Sequence, residues 1–254
     1  MSVFSLMGLL STIALSLPII LLFATRLVLY RSFPALFAYY FIVLSYLVLL
    51  LGYIDLGSNF QYYFGVLCNF LDTPLMLLFL AYFSKTVFFR RKMLKIVLGF
   101  MAFELIVLAV YGFNIKATTI LLAPGLLLVL VISVLFFTHQ VKIAVTYHRA
   151  IGKAVMVSSV LVSYVGFAFV YAVYYIIEPA FKNDAHLVYF LIITFSSLIM
   201  ATGIFIERKR VNQLSELQTT REELKAIYGG QQGSNKIASP LEPAIMKFDQ
   251  KDWN

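Results

Sequence analysis

The chain has 254 residues, of which 61% are hydrophobic and 13% charged, and its mean hydropathy is +0.90. Ordinary globular domains are about 45–50% apolar and about 25% charged, so a soluble enzyme or a nucleic-acid-binding domain is excluded as a first reading. The net charge of +8 does not signal nucleic acid either, because the basic residues are confined to short connectors and to a tail after residue 206. A single cysteine, Cys68, excludes a disulfide framework and a cysteine-built metal site.

A helix that crosses a bilayer needs about 20 mostly apolar residues at about 1.5 Å each. Seven such stretches are predicted in chain order. The first, about Val3–Thr25, carries Pro18. It has no lysine or arginine before Arg26 and is longer than a signal-peptide core, so a retained helix is expected rather than a cleaved leader. The second, about Phe33–Ile54, follows Arg31-Ser32 and opens at Pro34. Gly57-Ser58-Asn59 separates it from the third, about Gln61–Ser84, which holds Asn69, Asp72, Thr73 and Pro74. The fourth, about Ile96–Phe113, is the shortest, contains Glu104 and ends at Asn114. The fifth, about Ala117–Thr138, carries Pro124-Gly125, expected to be the strongest break of any span. The sixth, about Ala154–Ile177, holds Ser158, Ser159, Ser163 and Tyr164 and closes at Glu178-Pro179. The seventh, about His186–Ile206, holds Thr194, Ser196, Ser197 and Thr202, with Ser197 and Ala201 forming a small-xxx-small pair. Pro18, Pro74 and Pro124 are candidate hinges.

Positive charge is distributed unevenly between the two sides. The first, third and fifth connectors hold Arg26 and Arg31; Lys85, Arg90, Arg91, Lys92 and Lys95; then Lys142, Arg149 and Lys153. The second, fourth and sixth hold only Lys116 and Lys182 with Asp55, Glu178 and Asp184. By the positive-inside rule the N-terminus is outside and the C-terminus cytoplasmic, in the plasma (inner) membrane. These charges read as topological anchors rather than as anionic-lipid recognition. Phe60, Tyr62, Tyr63 and Phe64, and Tyr171, Tyr174 and Tyr175, cluster at outer span ends, as an interfacial aromatic belt does.

Two acids lie inside spans, Asp72 and Glu104. An acid at a helix centre costs about 2.5–3.5 kcal/mol on insertion scales and is therefore expected to face the bundle interior. No lysine or arginine lies at comparable depth. A neutral carboxyl donates a hydrogen bond as well as accepting one. Asp72 lies about 18 Å and Glu104 about 12 Å from the same end of their spans, so two antiparallel neighbours would let them share a proton or a water. The alternative is that each separately bonds a Ser, Thr or Tyr and serves packing. Asp72, Glu104, Asn69, Thr73, Tyr164 and Ser197 are the ligand-binding candidates.

The chain has no H-E-x-x-H, no G-x-S-x-G and no P-loop. His139 and His148 fall on the inner side and His186 on the outer, so they cannot share a metal. No catalytic residue, metal site or cofactor is expected.

The run Cys68-Asn69-Phe70-Leu71-Asp72-Thr73-Pro74-Leu75-Met76-Leu77-Leu78 resembles the third helix of microbial rhodopsins. Seven helices, an outside N-terminus and a length near 250 match that family too. The resemblance implies a seven-helix bundle. Span seven contains no lysine, so the family's covalent retinal linkage does not carry over. On this alignment Cys68 takes the counterion position, Asp72 one usually held by threonine, and Phe79 that of the proton-donor acid, which implies a relative without light-driven pumping. Convergence on a proline-kinked, leucine-rich helix is the alternative.

After span seven, Leu214, Leu217, Leu224 and Tyr228 recur at three- and four-residue steps, with Arg221 taking one turn of the seam. This predicts an amphipathic cytoplasmic helix too short to stand alone. Gly229 to Asn235 then reads as a flexible break, and the remaining residues hold no domain. The expected organisation is a seven-helix transmembrane domain over 1–206, a cytoplasmic helix continuing span seven over 207–228, and a flexible tail over 229–254.

The fold class is thus an all-α integral membrane protein. The leading functional expectation is a receptor-like or sensor protein. It would couple a small-molecule ligand or a membrane signal to a cytoplasmic protein partner, or to a second copy through 211–228. One alternative is a small-solute transporter with a 3+1+3 helix repeat, for which Pro18 and Pro124 occupy corresponding places. Another is a non-catalytic membrane scaffold. The lipid bilayer is the expected surrounding partner, and nucleic acid is not.

Overall fold

The computed structural model describes residues 3–29, 33–81, 83, 87–147, 151–175 and 182–229. Every regular element among them is helical. In chain order they are α1 (Val3–Ala24), a 3₁₀ turn (Leu27–Leu29), α2 (Phe33–Leu50), α3 (Ser58–Ala81), α4 (Val87–Tyr111), α5 (Ile115–Tyr147), α6 (Ile151–Tyr175) and α7 (Lys182–Gly229). Seven of these helices are long and apolar enough to cross a membrane, and the protein is a multi-pass membrane protein.

The apolar residues do not all turn inward. Phe23, Leu98, Val110, Leu127, Phe169 and Phe195 are exposed on helix faces. In water such a surface would drive aggregation. In lipid it is the face the helix presents to acyl chains, while each backbone N–H and C=O is satisfied within its own helix.

Helix ends follow local chemistry. α2 stops at Leu50, four residues before the expected Ile54, because Gly52 takes a positive φ of 73°. Gly52 N then donates to Leu49 O and Tyr53 N to Val48 O, the paired bonds of a Schellman cap. Asn114 caps α5: its Oδ1 accepts from Ala117 N at 3.0 Å, satisfying one of the donors orphaned at a helix start. Ser58 and Asn59 belong to α3 rather than to the break before it. Glu178 and Pro179 lie outside the described residues.

Three expectations need correction. α4 begins at Val87, nine residues before Ile96, so Arg90, Arg91, Lys92 and Lys95 sit on a helix and not in a connector. α5 runs through Tyr147, nine residues past Thr138. Hydropathy marks where lipid ends, whereas a helix continues as long as its backbone bonds are kept. Pro124-Gly125 does not break α5, which is one helix from Ile115 to Tyr147. Pro18 and Pro74 likewise lie within unbroken helices.

The chain divides into two compact units, 1–207 and 208–254. In the first, each helix from α1 to α6 packs on the next in chain order, and α3 also packs on α5. Ser159 Oγ on α6 donates to Ser196 O on α7 at 2.6 Å. α7 returns to α1 through Ser11 Oγ, which donates to Phe190 O at 3.0 Å and lies 3.0 Å from Thr194 Oγ1. α6 and α7 approach closely at a pair of glycines: a Cβ on Gly152 would lie 2.8 Å from Glu207 N and 3.0 Å from Gly203 O. The close approach therefore sits at Gly203, nearly two turns past Ser197 and two residues past Ala201. In the second unit the described residues, 208–229, continue α7, with Leu217 and Leu224 exposed.

Candidate functional site

Asp72 lies at mid-length of α3, the helix that packs on α2, α4 and α5. Its Oδ2 accepts a hydrogen bond at 2.9 Å from the hydroxyl of Tyr164 on α6. Tyr164 is fully buried, so its hydroxyl requires a partner inside the bundle, and the carboxyl provides it. Tyr39 of α2 faces the same carboxyl. Cys68, one turn along α3, and Tyr189 of α7 lie within its electrostatic reach. The acid is thus surrounded by groups from α2, α3, α6 and α7.

Glu104 approaches from α4 and is 1% exposed. It lies within the electrostatic reach of Asp72, and its Oε2 has no hydrogen-bond partner. It lies in the second half of α4, because that helix starts at Val87. Val107, one turn on, packs with Ala117 and Leu121 of α5 and with Phe70 of α3. This packing holds the Glu104 face of α4 against α3 and α5.

The remaining candidates are placed separately. Asn69 Nδ2 donates to Gly65 O of its own helix at 2.8 Å. Thr73 is buried against Gly125 of α5, whose missing side chain leaves room for Thr73 Oγ1 and the Phe100 ring. Ser197 is fully buried, its Oγ makes no hydrogen bond, and with Ser159 it faces Tyr40 of α2. Structure therefore joins Asp72 to Tyr164 by a bond and brings Glu104 within reach. It puts Ser197 in a second polar patch and turns Asn69 onto its own backbone.

Sequence reading missed Tyr39 and Tyr189. For Tyr39 the available signal was depth: a tyrosine well inside an apolar span points its hydroxyl to a polar group elsewhere in the bundle, whereas Tyr189, near the start of its span, offered no such signal. Aromatic rings extend the site from α6 to α1. Tyr164 meets Phe167 at 5.9 Å between centroids, Phe167 meets Tyr189 at 5.6 Å, Tyr189 meets Phe190 at 6.0 Å, and Phe190 meets Phe4 at 5.1 Å. Of the expected belt, Phe60, Tyr62 and Tyr63 are exposed at the α2–α3 end, while the side chains of Tyr174 and Tyr175 lie outside the described residues. His139 and His186 are exposed, and His148 lies outside the described residues.

Two cavities are found away from Asp72. One of about 200 Å³ is lined by Leu49, Gly52, Asp55 and Gln61 at the α2–α3 turn. The other, about 310 Å³, is lined by Phe60, Tyr63, Phe64, Leu67 and Phe113. Neither is lined by Asp72. Comparison with protein-family models, with curated proteins and with solved structures finds no match.

Proposed function

We propose that the protein is a seven-helix, receptor-like sensor in which a small ligand or a membrane signal acts on the Asp72 site and helix movement carries the response to a separate cytoplasmic partner. The observation that carries this reading is the Tyr164–Asp72 bond. An acid buried within membrane-spanning helices is costly and marks function by default. This one is held by a residue of a different helix, so whatever alters the carboxyl alters the contact between α3 and α6.

The same reading puts the N-terminus outside and the C-terminus in the cytoplasm of the plasma membrane. Support comes from the basic residues gathered at the ends formed by the first, third and fifth connectors. The helix over 211–228 is the proposed contact for a cytoplasmic protein or a second copy. Likeness to microbial rhodopsins remains part of the proposal, as a bundle without covalent retinal, because no lysine lies between His186 and Ile206.

A small-solute transporter with a 3+1+3 helix repeat stays as one alternative. A scaffold without a ligand stays as the second alternative.

The test is a thermal-shift screen of small polar metabolites on the full chain in nanodiscs, comparing wild type with Asp72→Asn. The expected result is a compound that raises the Tm of wild type and leaves the variant unmoved. Equal shifts in both proteins for every active compound would remove Asp72 from the site, and the absence of any shift would favour the scaffold.

A further inference from the structure

The basic cluster that hydropathy assigns to a connector lies on the first turns of α4, which begins at Val87. At about 100° per residue, Phe88, Arg91, Lys92 and Lys95 fall on one face of that helix. Leu98, Ala102, Leu105, Ile106, Ala109 and Val110 fall on the same face in the turns that follow. Every one of these ten residues is exposed; Phe88, Leu98 and Val110 are each 70% exposed and Ile106 63%. The inward face is the one with Met93, Val97, Phe100, Glu104 and Val107. The face of α4 that meets acyl chains along most of its length therefore ends in three cations.

Length fixes the depth of those cations. From Phe88 to Tyr111 the span has 24 residues, about 36 Å at about 1.5 Å each, more than the roughly 30 Å of hydrocarbon in a typical bilayer. The first turns of a span this long reach the head-group layer, where lysine and arginine extend their head groups to the phosphate level. Lys92 Nζ already lies 4.5 Å from the centre of the Phe88 ring, so an aromatic group and a cation are combined at the depth where lipid tail gives way to head group.

We infer that the Phe88–Leu98 face of α4 binds an anionic phospholipid of the surrounding leaflet, with Arg91, Lys92 and Lys95 on its head group and Phe88 and Leu98 against its acyl chains. Charge complementarity selects an anionic over a zwitterionic head group, and continuity with the lipid-facing stripe selects a bilayer lipid over a soluble phosphate. The site is independent of the Asp72 reading.

The test uses the full chain in phosphatidylcholine vesicles doped with phosphatidylglycerol or phosphatidylcholine carrying a diazirine near the head group. After irradiation, adducts are mapped by peptide mass spectrometry. On wild type, the phosphatidylglycerol probe is expected to label residues 88–98 at least about tenfold more than the phosphatidylcholine probe, with the excess falling in molar salt. Arg91→Gln/Lys92→Gln/Lys95→Gln is expected to abolish the excess, and Arg208→Gln/Lys209→Gln/Arg210→Gln to leave it unchanged. Equal labelling of wild type by the two probes overturns the proposal even where the first variant fails to fold. Retention of the excess by a folded first variant also overturns it, as does loss of the excess when glycerol phosphate is present in solution during irradiation.

Discussion

Tyr164 of α6 donates its phenolic proton to Asp72 Oδ2 of α3 across 2.9 Å, joining two helices that are separated by α4 and α5 in the chain. Both groups gain from the arrangement. The hydroxyl has no water at that depth, and the carboxyl has no lysine or arginine on α1, α2 or α3 to meet it.

Removing the donor isolates the bond. Tyr164→Phe keeps the ring and its contact with Phe167 and is expected to cost about 1–2 kcal/mol in detergent unfolding. Tyr39→Phe is expected to cost less, because Tyr39 faces the carboxyl without the geometry of the Tyr164 bond. A larger loss at Tyr39 would transfer the anchoring role to α2.

The two acids are expected to act together. A thermodynamic cycle on Asp72→Asn and Glu104→Gln should give a coupling of about 0.5–3 kcal/mol, the range seen for groups in one network. Strict additivity, with ligand response unchanged in each single variant, would reduce both residues to packing.

Two glycines make a paired control on the packing. Gly152→Ala places a methyl 2.8 Å from Glu207 N, a backbone atom that cannot swing aside, and is expected to destabilise by about 1–3 kcal/mol. Gly99→Ala meets nothing within 4 Å and is expected to be neutral or to stabilise by up to about 1 kcal/mol. Thermal unfolding of the two variants checks both signs, and tolerance of Gly152→Ala would refute the tight α6–α7 crossing.

Orientation is checked by accessibility. In a Cys68→Ser background, Ser58→Cys is expected to react with an impermeant maleimide on intact cells, and Ser215→Cys only after permeabilisation. The opposite pattern would invert the topology drawn from the connectors.

Reconstitution with all-trans retinal is expected to yield no adduct trapped by borohydride, since span seven offers no lysine. A covalent product that survives denaturation, identified by mass spectrometry, would overturn this.

The sequence by itself determined that there are seven spans and roughly where each lies, because burial in hydrocarbon is a demand on composition that a run of about 20 apolar residues meets locally. It also picked out the two acids that stand alone in such runs, Asp72 and Glu104, but not Glu207, which is buried past the end of the seventh run. It misplaced the start of α4 and the end of α5, because hydropathy reports the edge of lipid and not the last backbone bond. It took Pro124-Gly125 for a break, although Gly125 is there to admit Thr73 and Phe100 between α3, α4 and α5. Only the tertiary structure decided that Asp72 meets Tyr164 and Tyr39 while Asn69, one turn away on α3, folds back on its own helix. Which face of a spanning helix turns inward depends on neighbours distant in the chain. When apolar residues occupy both the lipid face and the core face, the pattern along one helix cannot distinguish them.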